Sequence, residues 1–76
     1  MSNKLPVISG KQLIKLLQKL GFVVVRINGS HHRLHHLDGR VTTVPVHKND
    51  DLSRGLIHKI ITEDVGITVN EYVKLI

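Results

Sequence analysis

The chain has 76 residues, 41% of them apolar, and 11 lysines and arginines against 6 acids give it a net charge of +5. That length leaves room for one small domain, expected over residues 1–76, and the absence of cysteine excludes disulfides and thiolate metal sites. No apolar run approaches the roughly 20 residues of a membrane span, no basic-then-apolar leader pattern opens the chain, and the expected location is therefore cytoplasmic. Phe22 and Tyr72 are the only aromatics, too few for a platform that stacks single-stranded bases. The basic excess favours a polyanion or an acidic protein as partner, although a solvated basic surface has the same count.

Ser9 and Gln12 fit a capping box at the start of a first helix, and Gly21 fits its C-terminal stop. Leu13, Ile14, Leu17 and Leu20 recur at helical spacing, while Lys11, Lys15 and Lys19 form a basic ladder on another face. The β-branched run Phe22–Ile27 is the strongest strand signal, and Asn28-Gly29 predicts a hairpin turn because both residues accept positive φ. Ser30–Leu37 then reads as the returning strand, Asp38-Gly39 as a second turn and Val41–Val46 as a third strand. Pro45 puts that strand at a sheet edge, or itself at the strand's end. Past a polar loop, Ser53 caps a second helix over Arg54–Asp64 with Leu56, Ile57, Ile60 and Ile61 inward, stopped by Gly66. Thr68 and Glu71 make another capping box, for a short C-terminal helix carrying Val69, Tyr72, Val73 and Ile76 towards the core. The expected fold is α+β, in the order α-β-β-β-α plus a terminal helix, with a three-stranded antiparallel sheet and the helices on one face.

Four of six histidines fall within His31–His36, in the middle strand. On a helix, the His31/His35 and His32/His36 spacing could share a zinc ion. On a strand, four residues span roughly 13 Å, far too long for two ligands of one ion, so the turn signals argue against metal. Alternation places His32, Leu34 and His36 on one face, and Leu34 marks that face as the one against the helices. His31, Arg33 and His35 share the other face, a cluster of proton-transfer and anion-binding groups. Such a cluster suits general acid/base cleavage of RNA, whose 2′-OH supplies its own nucleophile, so that no metal is required. A serine nucleophile is disfavoured, because no acid is placed to orient a Ser–His pair. From spacing alone, a solvated basic strand accounts for the pattern better than a catalytic one.

The array as a whole has a further feature. "LGF" at Leu20–Phe22 leads to a strand closed by "GSHH" at Gly29–His32. "TVPVH" at Thr43–His47, "RGLIHKI" at Arg54–Ile60 and a "GI…EY…L" tail follow. This arrangement resembles the HicA (YcfA-like) toxin family, small mRNA interferases of toxin–antitoxin systems with a fold like the double-stranded-RNA-binding domain. The resemblance implies metal-independent endoribonuclease cleavage of mRNA without a cofactor, and the essential histidine falls on His31, in the active-site turn with Gly29 and Ser30. It also implies inhibition by a HicB-type antitoxin covering the active face, with the toxin a monomer when free or part of a heteromeric complex. His47 matches a frequent family position, as a second acid/base or a loop cap. Where the family commonly has Pro-Gly before the second helix, this chain has Arg54-Gly55, which leaves that loop's geometry open.

Arg33, Lys48 and Arg54 are the candidate phosphate binders, each with a solvated-surface alternative. Lys15 joins them if the first helix touches RNA as in double-stranded-RNA-binding domains. A rival reading is a non-catalytic RNA-binding module of the same fold, which has no need of an exposed histidine at the turn. A third is a histidine-based metal sensor, with stoichiometric bound zinc or nickel as its mark.

Overall fold

The structure is a computed structural model that describes residues 5–76, so the first four residues of the expected 1–76 domain lie outside the described residues. Helix α1 (Gly10–Lys19) begins at the expected capping box. The Gln12 N–H donates to the Ser9 hydroxyl at 3.2 Å, and the Ser9 N–H donates to the Gln12 side chain at 2.9 Å. It ends in a Schellman turn: Gly21 has φ +99°, its N–H donates to the Gln18 carbonyl, and the Phe22 N–H donates to that of Leu17. Glycine is required there twice over, since a Cβ would also stand 2.8 Å from His36 Nε2. Leu13, Ile14, Leu16 and Leu17 are buried.

Strands β1 (Val23–Asn28), β2 (His31–His35) and β3 (Val41–Pro45) form one antiparallel sheet in the order β1-β2-β3. The histidine strand is central, β3 is an edge, and Pro45 ends it, where a missing N–H costs little. The first turn lies one residue later than Asn28-Gly29. Gly29 and Ser30 form the loop, Asn28 pairs with His31, and of the loop pair only Gly29 has positive φ, at +62°. That is the type II′ pattern, with glycine at the first central position. The difference matters because moving the loop by one residue moves the pairing by two, so His31 stands opposite Asn28 rather than Arg26 while every side chain keeps its face. β2 is also shorter than Ser30–Leu37. Its return to β3 runs through His36–Arg40, where the His36 N–H donates to the Arg40 carbonyl and Gly39 takes φ +98°.

Helix α2 (Arg54–Lys59) is capped by Ser53 and continues as a π-helical stretch, Ile60–Val65, before Gly66 at φ +80°. The sequence predicts an ordinary helix to Asp64. The wider i→i+5 turn brings Ile60 and Val65 onto one line, so both enter the core with Ile57 and Ile61. The Thr62 hydroxyl donates to the His58 carbonyl at 2.6 Å, a back-bond that favours departure from the α ladder.

Helix α3 (Val69–Leu75) has the expected Thr68–Glu71 capping box. Tyr72 is fully buried, with its hydroxyl donating to the Pro6 carbonyl at 2.7 Å, and Val69 packs at the core's margin. Val73 and Ile76, expected inside, are 43% and 51% exposed. A seven-residue helix pivoting on Tyr72 turns the Val69–Tyr72 line inward; Val73 lies about 100° round from Tyr72, and Ile76 follows the last helical residue as its C-cap.

All helices lie on one face of the sheet. Leu34 and Val44 meet Leu13, Leu17, Phe22, Ile57, Ile60, Ile61 and Val65 there, each at most 2% exposed and each contributing about 1.5–3 kcal/mol on burial. Buried Thr42 donates its hydroxyl to Asp64 at 2.8 Å. At Gly10 a Cβ would come within 2.1 Å of the Pro45 carbonyl, so the start of α1 lies directly against the end of β3. Before α1, the chain is held by Leu52 N–H on the Ile8 carbonyl and Arg54 Nε on that of Leu5. Among the described residues no helix is long and apolar enough to cross a membrane.

Candidate functional site

The two faces of β2 treat their histidines differently. On the helix side, His32 and His36 are half-buried around fully buried Leu34. His32 Nδ1 donates to the Ser30 carbonyl at 3.2 Å. His36 Nε2 donates to the Leu20 carbonyl at 3.1 Å, while its Nδ1 accepts from the Asp38 N–H at 3.1 Å. Its ring meets Phe22 edge-on, 5.1 Å between centroids, and the Arg40 guanidinium lies 5.1 Å from the Phe22 centroid. The Arg40 side chain bonds both Asp38 carboxylate oxygens and holds that carboxyl below its usual range. These bonds serve the fold: His36 joins the sheet to the end of α1, and His32 braces the turn that leads into its own strand.

On the open side, His31, Arg33 and His35 are exposed and line one shallow depression. β1 contributes Val25, Arg26 and Asn28 to it, and β3 contributes Thr43. A β-bulge explains how Val25 and Arg26 both reach that side. Val24 pairs with Leu34 and Arg26 with Arg33, so Val25 is the extra residue and the alternation resets behind it. Arg33 donates to the Thr43 hydroxyl at 3.2 Å, which steadies its guanidinium over the sheet. Asn28 stands directly opposite His31 in the register, and Pro45 flanks His31 on the other side. The turn beneath is braced, because the Ser30 carbonyl also accepts the Val46 N–H at 2.7 Å.

The candidate residues therefore divide. His31 and Arg33 come together, with Gly29 and Ser30 in the turn that carries His31. His47 is exposed in the loop after β3 and does not line the depression. Lys15 and Lys48 line a different groove, on the helix side of the sheet with His32. Arg54 starts α2 with its Nε already donating to the Leu5 carbonyl. Sequence reasoning missed Arg26, Asn28 and Thr43; hairpin register is the signal that finds them, and it depends on the turn type and on the bulge. Among the described residues, no group of three or more His, Asp or Glu side chains is placed to hold a metal ion.

The depression combines two exposed imidazoles, two guanidinium groups and a neutral amide on one sheet face. It can accept or give a proton beside a bound anion. No curated protein matches the chain. A family model, described as the HicA toxin of bacterial toxin–antitoxin systems, matches residues 10–67, from the start of α1 through all three strands to just past the π turn. That span is well over half of the chain and includes both faces of β2, and the protein belongs to the HicA toxin family.

Proposed function

We propose that this toxin is an mRNA interferase, an endoribonuclease that cleaves without a metal and uses His31 as its general acid/base. The observation that carries the reading is the shared placement of His31, Arg33 and Arg26 on the uncovered sheet face. In this mechanism the RNA lies across that face with one phosphate between the two guanidinium groups. Neutral His31 takes the proton of the 2′-OH, the 2′-oxygen attacks phosphorus, and the bond from phosphorus to the 5′-oxygen breaks. The 5′-oxygen receives a proton from solvent, leaving a 2′,3′-cyclic phosphate and a 5′-hydroxyl. Arg33, held by Thr43, stabilises the charge that gathers on the phosphoryl oxygens. Asn28, opposite His31, is placed to hydrogen-bond either the imidazole or a sugar hydroxyl.

Membership in a toxin–antitoxin family implies an antitoxin partner, and we take it to be of the HicB type. The open face offers such a protein the two arginines beside exposed Val23, Val25 and Val41, a surface that suits acidic side chains around an apolar centre. Bound there, an antitoxin would exclude RNA from His31. Incubating purified toxin with RNA in excess chelator tests the enzymatic reading. Cyclic-phosphate and 5′-hydroxyl ends are the expected products, and cleavage that stops under chelator would overturn the mechanism. RNA bound but left intact would assign the protein to the rival class of non-catalytic binding modules.

A further inference from the structure

We propose that the groove between α1 and the loop after β3 binds a second RNA phosphate, one flanking the phosphate cleaved at His31. The substrate is then an RNA strand that bends around the end of the sheet. This inference rests on the proposed role of His31 and goes beyond it by naming where the rest of the strand lies.

The groove is assembled from parts distant in sequence. Lys11 and Lys15, one turn apart, come from α1; Lys48 and Asn49 come from the loop after β3; Ile14 and Val46 add apolar surface. His32 lines it from β2, and because its Nδ1 donates to the Ser30 carbonyl, Nε2 remains as the ring nitrogen available to a ligand. No carboxylate and no Phe, Tyr or Trp side chain lines this groove. Three ammonium groups over an apolar floor, with one half-buried imidazole as the sole ring, suit a sugar–phosphate backbone rather than bases.

Two further observations support it. Lys48 has φ +53°, the only positive φ at a non-glycine position among the described residues. Left-handed backbone disfavours lysine and suits glycine, so the position keeps a charged side chain against its local preference. His31 and His32 are also neighbours in the chain on opposite faces of one strand end. The Gly29–Ser30 turn leads into both residues and is joined to Val46, which lines the groove, by the Val46 N–H on the Ser30 carbonyl. One strand of RNA crossing this end of the sheet would meet both.

The test uses the full chain with His31→Ala, which keeps RNA intact, and adds Lys15→Gln and Lys48→Gly. Binding of a 12-nucleotide single-stranded RNA is measured across salt concentrations. The expected result is affinity weakened about tenfold or more at low salt. The slope of log affinity against log salt should fall by roughly 0.7 for each phosphate that is no longer neutralised. In the chain with His31 intact, the advantage in kcat/KM of the 12-mer over a dinucleotide should shrink by a similar factor. Lys48→Gly alone should not lower the thermal midpoint, so weaker binding cannot be put down to misfolding. Unchanged affinity and slope in the double variant would overturn the groove. Unchanged RNA binding with weakened antitoxin binding would overturn it too, and would assign the groove to the acidic protein. A parent chain that binds RNA without cleaving it, but still loses affinity with the lysines, would sink the role of His31 and leave the groove standing. A parent that binds no RNA would sink both.

Discussion

His31 opens β2 and His36 directly follows its last residue, and they are the same amino acid, yet nearly everything else about them differs. His36 uses both ring nitrogens on the protein itself, on the Leu20 carbonyl and the Asp38 N–H, and rests its edge on Phe22. His31 is exposed on the uncovered face, with Asn28 and Pro45 opposite it and two guanidinium groups in the same depression. A cluster of histidines is thus two populations sorted by strand alternation. One spends its hydrogen bonds on the fold, and the other keeps them for something outside it.

The sharpest way to break this comparison is to remove each ring in turn. His31→Ala should lower RNA cleavage at least about a hundredfold, the lower end of what general acid–base groups contribute, and leave the thermal midpoint in place. Full activity in that variant would place the chemistry elsewhere. His36→Ala should do the reverse. It leaves the Leu20 carbonyl and the Asp38 N–H without their partner and opens space beside Phe22, at a cost of about 2 kcal/mol, or a midpoint lower by roughly 8–16 °C in a chain this short. Cleavage per folded molecule should be retained. If His36→Ala were as stable as the parent, the division of the strand into two roles would collapse.

The sorting was legible in the sequence because it needs only period two and one apolar marker, Leu34. Helix limits were legible for the same kind of reason: capping pairs such as Ser9–Gln12 and Thr68–Glu71, and glycine stops at Gly21 and Gly66, are local signals. What could not be read was anything set by pairing across strands. The Gly29–Ser30 loop and the Val25 bulge decide that Asn28 and Arg26 join His31, and nothing in β1 alone marks either. The π turn was hidden too, since Ile57, Ile60, Ile61 and Val65 fall at i, i+3, i+4 and i+8 and so satisfy an ordinary helical period. The catalytic role proposed for His31 rests on family resemblance and on the open face it shares with two arginines, not on spacing.

A milder change probes the open face alone. Arg33→Lys keeps a positive charge but loses the fork that lets one guanidinium hold Thr43 and still meet a phosphate. Cleavage should fall about tenfold while stability changes little, because the bond to Thr43 is solvent-exposed. If lysine restored full activity, Arg33 would act only as a point charge, and the depression would be less organised than its geometry suggests.

The smallest expected effect tests the helix side through pH. The Asp38 carboxyl is held below its ordinary value of 3.8, chiefly by the Arg40 side chain and then by the Arg40 backbone N–H. Glu71 is held below 4.5, chiefly by its capping bond from the Thr68 N–H. A carboxyl with a lowered folded pKa contributes stability that is fully present above its unfolded value and lost as pH falls through the folded one. Both groups are exposed, so the loss is modest, and it belongs to the window below about pH 4.5. Thermal midpoints measured from pH 6 down to pH 3 should therefore decline in that lower window. Glu71→Gln should flatten the decline, because glutamine can still close the box without titrating, as Gln12 does at α1. Asp38→Asn should flatten it as well, while lowering the midpoint at neutral pH through the loosened Arg40. His31 stands on the other face, away from both carboxyls, so His31→Ala should leave the acid limb of the stability curve where it is. A shift of that limb in His31→Ala would mean that the two faces of β2 are coupled rather than independent.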